Sequence, residues 1–213
     1  MSIRSKLFKF TPLDRYAIDC LVRRRLFLAP WTDLNDAHEA QMFIRGSGVN
    51  YHMNPARLKQ LLPQLLSFDA TQARVCSLSR EWWSNLLWSH YADCHCGVAI
   101  GVSLPDDLCG VERLAVQYDD ELPVLDPPVG RAGVVEALRH KAREWSYEKE
   151  DRLLSFDEKL TFVDQVEILD VIFGLRASEE DISLMRHLLP ETVSLWRICR
   201  KPGSYLLNAE DIM

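Results

Sequence analysis

Short runs of alternating apolar and polar residues dominate this chain, and a few longer stretches carry the three-to-four spacing of a helix. Leu7-Phe8-Lys9-Phe10, closed by Thr11-Pro12, predicts a short strand. Leu13, Tyr16, Ala17, Cys20 and Leu21 then recur at helical spacing, so 13–22 predicts a helix. Leu26-Phe27-Leu28 before Pro30 predicts a buried strand, and 31–39 a polar loop. Asn54-Pro55 offers an N-cap followed by proline at the first helical position, which predicts a second helix. Residues 75–79 predict a strand. Trp83, Leu86, Leu87 and Tyr91 predict a helix over 81–91 that Gly97 breaks off. From 98 to 103 the large residues Val98, Ile100 and Val102 alternate with the small Ala99, Gly101 and Ser103. One face of that strand can pack a core while the other admits a close neighbour.

Further on, 114–118 predicts a strand, 122–128 a Pro-rich acidic loop and 134–144 a helix. Residues 148–156 fit either a strand or a helix. Residues 166–175 predict a long apolar strand. Ser178, with Asp181 three residues on, caps a helix that Pro190 ends. Residues 195–199 and 205–207 predict a last pair of strands around Lys201-Pro202-Gly203-Ser204. Strands and helices intermingle without the regular spacing and Gly-rich turns of a parallel nucleotide-binding sheet. The expectation is a single domain, 1–213, of α+β class, with a mixed or mostly antiparallel sheet flanked by helices.

Composition narrows the function classes. A 213-residue chain with 47% hydrophobic residues can fill its own core without staples. A net charge of -6 argues against a nucleic-acid groove as the main surface, because phosphate binding wants clustered Lys and Arg. The one dense basic run, Arg23-Arg24-Arg25, falls at a predicted helix end, where cations complement the dipole. No apolar run reaches the ~18 residues of a membrane span. Met1–Phe10 has no apolar core of a signal peptide, so a cytoplasmic, reducing setting is expected. There the six cysteines are expected to be mostly buried small hydrophobes.

Several constellations could carry chemistry. Trp88-Ser89-His90-Tyr91-Ala92-Asp93 puts Trp, His and Tyr at a helix end just before the small-residue strand, as a pocket wall or as core. Cys94-His95-Cys96 holds zinc-type donors, but such adjacent residues rarely turn to one metal, and no metal is expected. In Tyr147-Glu148-Lys149-Glu150-Asp151-Arg152 a strand would put Glu148, Glu150 and Arg152 on one face, as an acid/base pair or a sugar-hydroxyl clamp. A helix would make Glu148 and Arg152 an ordinary surface pair. Ser77-Leu78-Ser79 has both hydroxyls on one side of a strand, without the G-x-S-x-G of a hydrolase elbow.

These blocks occur in order with Leu7-Phe8-Lys9-Phe10, Leu34-Asn35-Asp36 and Glu39, and the set resembles the bacterial family catalogued as domain of unknown function 2971. The order Ser-x-Ser, then Glu-x-Glu, is also similar to arginine-type ADP-ribosyltransferases. That second resemblance implies an ADP-ribosyltransferase-like split sheet and NAD as a possible substrate, with no firm cofactor. It implies that Glu150 binds a ribose hydroxyl and opposes an oxocarbenium-like transition state. Glu148 would activate the acceptor, and Ser77 and Ser79 would shape the nicotinamide site. The family's Arg after the first strand has Thr11 in its place here, and Lys9 or Arg4 is the available cation. The expected pocket is lined by Ser77, Ser79, Trp88, His90, Tyr91, Glu148, Glu150 and Arg152, and takes a small molecule or nucleotide. The expected reaction is ribosyl transfer or NAD hydrolysis, of a kind found in bacterial defence or toxin systems. Its rival is a non-enzymatic interaction module in which the same residues form a polar core network, and a nuclease is the third option.

Overall fold

The structure is a computed structural model that describes residues 6–45, 72–105, 107–126 and 129–212, with the backbone of 50–51. Arg4 and the helix expected from Asn54-Pro55 lie outside the described residues. In chain order come strand β1 (Leu7–Thr11), helix α1 (Arg15–Arg23), and strands β2 (Leu26–Phe27) and β3 (Ala29–Pro30). After a 3-10 turn, Trp31–Asp33, follow β4 (Met42–Ile44), β5 (Asn50–Tyr51), β6 (Arg74–Ser79) and helix α2 (Asn85–Tyr91). Next are β7 (Val98–Ser103), β8 (Glu112–Ala115), β9 (Gln117–Asp119), β10 (Val124–Leu125) and helix α3 (Arg131–Arg139). Then β11 (His140–Ala142) leads through a 3-10 segment, Arg143–Glu148, into β12 (Glu150–Ser155). The chain finishes with β13 (Phe162–Val163), β14 (Glu167–Phe173), helix α4 (Glu179–Leu188), β15 (Ser194–Arg200) and β16 (Leu207–Asp211).

The fold is α+β. Its main sheet runs β16-β15-β14-β7-β1-β6-β12-β8, with β3 also paired to β6. Only β14 and β15 run parallel in it; every other described pairing of this sheet is antiparallel. Helices cover both faces. Leu7, Ile100 and Val102 pack with Cys20 and Leu21 of α1 and Ile182 and Met185 of α4. Phe8, Phe10 and Ala99 point the other way, onto Leu87 and Trp88 of α2. Val75, Leu114 and Leu154 pack on Val134, Ala137 and Leu138 of α3.

One junction in this sheet is thin. β1 pairs with β7 along all five of its residues, and β6 pairs with β12 along six. Between β1 and β6 only Phe8 and Ser79 are in register. The sheet therefore parts between β1 and β6, and a cleft opens there.

Local chemistry explains the helix ends. The Asp14 carboxylate accepts from the Tyr16 and Ala17 amides, and Arg24, at φ 52°, closes α1 by donating to the Cys20 carbonyl. The basic run thus does sit at a helix end, with Arg25 turned back on Asp19 at 2.8 Å. Ser178 accepts from the Asp181 amide, as its spacing predicts. The small face of β7 also has the expected use. A Cβ on Gly101 would stand 2.6 Å from the Asp170 carboxylate, which pairs with Lys6 directly over that glycine.

Several expectations need correction: the helix expected over 81–91 begins only at Asn85, and the last strand is Leu207–Asp211. The helix predicted over 134–144 stops at Arg139, where the chain straightens into β11 and pairs in parallel with β9. Lys141 in β11 is buried between two carboxylates, so a tertiary ion-pair demand overrides helical propensity. The strand predicted over 114–118 breaks at Val116, whose amide donates to the Glu150 carbonyl at 3.0 Å. The acidic loop contains β10, which pairs in parallel with β4. All six cysteines are free, but the expectation that most are buried is corrected: only Cys20 and Cys76 are, Cys96 and Cys199 are half-buried, and Cys94 and Cys109 are exposed. Among the described residues no helix is long and apolar enough to cross a membrane.

Candidate functional site

The site is built where β12 begins. Glu148 ends a 3-10 turn, Lys149 takes a left-handed conformation at φ 47°, and Glu150 starts the strand. The segment that fits both a strand and a helix is thus neither throughout. Glu150 and Arg152 share a strand face opposite Ser79 and Ser77, and Glu148 reaches the same cleft from the turn before them.

Arg152 is fully buried, and its guanidinium is wholly engaged. Its Nε donates to Glu150 at 2.8 Å, and one terminal nitrogen donates to Glu150 at 3.2 Å and to Glu39 at 2.9 Å. The other terminal nitrogen reaches Glu39 and, at 2.7 Å, the Leu138 carbonyl. All five N–H groups are therefore spent inside the protein, and Arg152 acts as a clamp holding two carboxylates. Burial works against its charge, but Glu150 and Glu39 overcome that and push its pKa up.

Lys141 completes the set. Its ammonium lies 2.6 Å from Glu148 and 3.4 Å from Glu150, and 4.6 Å from the centre of the Trp145 ring. Three carboxylates, Glu39, Glu148 and Glu150, thus share two cations. The environments of the pair differ. Burial raises the pKa of Glu148, and Lys141 and Tyr91 only partly offset it, so it stays above the usual range. Burial also works against Glu150, but Arg152, Lys141 and the Ser77 hydroxyl outweigh it and hold the carboxyl well below that range. Two carboxylates whose pKa values are driven apart suit two different roles.

Tyr91 donates to Glu148 Oε1 at 2.6 Å and accepts from Asn35 at 3.0 Å, so the end of α2 does meet the Glu-x-Glu segment. Burial and the Glu148 charge push the Tyr91 phenol up, keeping it a donor. The Tyr118 hydroxyl accepts from the Glu150 amide at 2.8 Å. On β1, Lys9 donates across the parted strands to the Ser77 carbonyl at 3.3 Å, and it makes no ion pair with a carboxylate among the described residues.

These residues line a cavity of about 570 Å³ in the cleft. Lys9, Ser77, Ser79, Tyr91, Glu148, Glu150 and Arg152 all contribute to its wall. Ser79 is largely spent on structure, donating to the Glu148 carbonyl at 2.6 Å and accepting from the Glu81 amide. Two expected wall residues stand elsewhere. Trp88 is fully buried in the core under α2, edge-on to Phe10 at 5.1 Å, with its indole N–H on the Trp82 carbonyl at 2.6 Å. His90 is exposed and does not line the cavity; it lies 3.0 Å from the Tyr147 hydroxyl, with its ring edge-on to Tyr91 at 6.1 Å. A seven-residue helix presents Tyr91 to the cleft only by turning its neighbours away.

Glu39, Asn35 and Lys141 are the site residues that the sequence reading left out of the pocket. Asn35 and Glu39 belong to the Leu34-Asn35-Asp36 and Glu39 block, so a signal for them existed. Lys141 had none. Among the described residues no cluster of His, Cys, Asp and Glu could hold a metal ion. No protein-family model, no curated protein and no solved structure matches the chain.

Proposed function

We propose that the chain binds NAD in this cavity and breaks the bond between nicotinamide and ribose, passing the ribosyl group to an acceptor or to water. One observation carries the reading. In the cleft of a parted sheet, Lys9 of β1, Ser77 of β6, and Glu148 and Glu150 at the head of β12 line the same cavity. The motif order, Ser-x-Ser and then Glu-x-Glu, which is similar to that of arginine-type ADP-ribosyltransferases, supports it.

Each group has a task. As the C–N bond breaks, its electron pair leaves with the nicotinamide nitrogen, and positive charge develops on the ribose. Glu150, kept ionised by Arg152 and Lys141, opposes that charge in a desolvated site where such opposition is strong. Glu148, with its raised proton affinity, takes the proton of the incoming hydroxyl or water. Ser77 orients Glu150 through its hydroxyl, and Lys9 offers its ammonium to a phosphate.

The test is nicotinamide release by purified protein. Glu150→Gln is expected to lose ~100-fold or more in rate. It must be assayed below its melting transition, because removing one partner of a buried ion pair costs about 3–5 kcal/mol. If wild type neither binds NAD by calorimetry nor releases nicotinamide at high protein concentration, the reading fails. A non-enzymatic interaction module then takes its place. That second reading draws its support from Arg152, whose donors are all satisfied internally.

A further inference from the structure

We infer that Tyr16 of α1 and Phe27 of β2 form a second subsite at the mouth of the cavity, which stacks a planar heteroaromatic ring, so that the site selects a dinucleotide over a mononucleotide. The inference rests on the proposed function for the chemistry at the carboxylate end.

Large apolar side chains uncovered at a cavity rim have ring faces to spare. Tyr16 is 61% exposed and Phe27 49% exposed, yet both line the cavity. Helical spacing puts Tyr16 on the same side of α1 as Cys20, another wall residue. Burial pushes the Cys20 thiol up to about 12, so it stays neutral and serves as apolar wall. Phe27 is placed by pairing. Phe27 is in register with Phe162 of β13, just before the chain turns at Ala29 to pair with Val75 of β6, and it lines the same cavity as Ser77.

Ser77 is the hinge of the argument. Its carbonyl holds the Lys9 ammonium at 3.3 Å, and its hydroxyl reaches Glu150. Rings, ammonium and carboxylates thus line one cavity, with Ser77 joining the last two. A ligand with a base joined through phosphate to a reactive sugar carries a partner for each of the three. Both rings are also braced. The Arg15 guanidinium lies 4.7 Å over Tyr16 and donates to its hydroxyl at 2.6 Å. Phe27 leans on Phe162 at 5.5 Å, and Arg25 lies 3.7 Å over Phe162. Bracing lowers the entropy lost when a ligand ring docks. Ala17, Cys20, Leu26 and Ala29 supply the neighbouring wall. Their side chains offer little hydrogen bonding, so recognition there is by stacking and tolerates more than one base.

The experiment measures dissociation constants of NAD, AMP and nicotinamide mononucleotide by calorimetry for wild type, Tyr16→Leu and Phe27→Leu. Leucine keeps the apolar volume and removes the ring, and Phe27→Trp tests rescue. Each leucine variant is expected to lose about tenfold in affinity for NAD and for AMP, so that the preference for NAD over the mononucleotide shrinks by the same factor. Phe27→Trp is expected to restore it. AMP and NAD affinities unchanged in both leucine variants, or no AMP binding to wild type, overturn the subsite. If wild type binds AMP in a Tyr16- and Phe27-dependent way but neither binds the mononucleotide nor releases nicotinamide, the proposed reaction falls and the subsite stands.

Discussion

Replacing Arg152 with methionine is the most demanding test of the site's architecture. Methionine keeps much of the volume and removes every donor. Glu39 and Glu150, with side chains only 5% and 3% exposed, then lose their guanidinium, and Glu39 loses both bonds of a fork. Breaking a buried pair by removing one partner typically costs about 3–5 kcal/mol. At roughly 2–4 °C per kcal/mol for a chain of this length, the melting temperature should fall by about 6–20 °C. The sign of the pH dependence follows. In wild type the folded pKa of Glu150 lies below its unfolded value of about 4.3. Its stabilisation is therefore fully present above that value and is lost as pH falls through the folded one. In Arg152→Met the main group holding the Glu150 pKa down is gone, so the penalty falls on its ionised form and eases as it protonates. The gap between variant and wild type should be widest near pH 7 and narrower near pH 5. Urea unfolding at both pH values measures it. Adding Glu39→Gln to Arg152→Met should recover part of the loss, because the two sites share one interaction. A cost below about 1 kcal/mol, or a gap equal at the two pH values, would refute the picture of a desolvated clamp.

Other expectations follow from the same geometry. Tyr91→Phe removes a donor that lowers the Glu148 pKa, so that pKa should climb further. The acid limb of the pH–rate profile for nicotinamide release should move to higher pH, and an unmoved limb would show that Glu148 is not the titrating base. Gly101→Ala drives a methyl group against the Asp170 carboxylate and should destabilise by about 1–3 kcal/mol in a thermal melt. A neutral result would mean that the Lys6–Asp170 pair yields freely.

Strands such as β6, β7 and β14 were legible because their apolar residues run in short stretches bounded by turn signals, and a buried sheet demands that pattern. The Ser77, Glu148 and Glu150 part of the site was legible for a related reason: spacing of two on or near a strand puts side chains to one side. What escaped depends on contacts between distant residues. Lys141 sits in a stretch with helical propensity and is pulled straight by Glu148 and Glu150. Trp88 and Tyr91 stand three apart on one short helix, yet one is fully buried core and the other lines the cleft. The conformation of Lys149 also had no sequence signal, since a lysine at φ 47° is selected by its surroundings, not by its own preference.

The bond from Arg152 to Glu39 spans 113 positions of sequence, and this has a consequence for the newly made protein. On a ribosome working at 5–20 residues per second, Glu39 emerges about 6 to 23 s before its guanidinium partner. During that interval a carboxylate destined for the interior lacks its guanidinium, and the cleft lacks the β12 side of its wall. Closing so long a loop comes late in folding, because its entropy must be spent before any contact repays it. The cavity therefore takes its final charge only once the strand that begins at Glu150 has docked. Fragments truncated before that strand should leave Glu39 solvated and the cleft unformed.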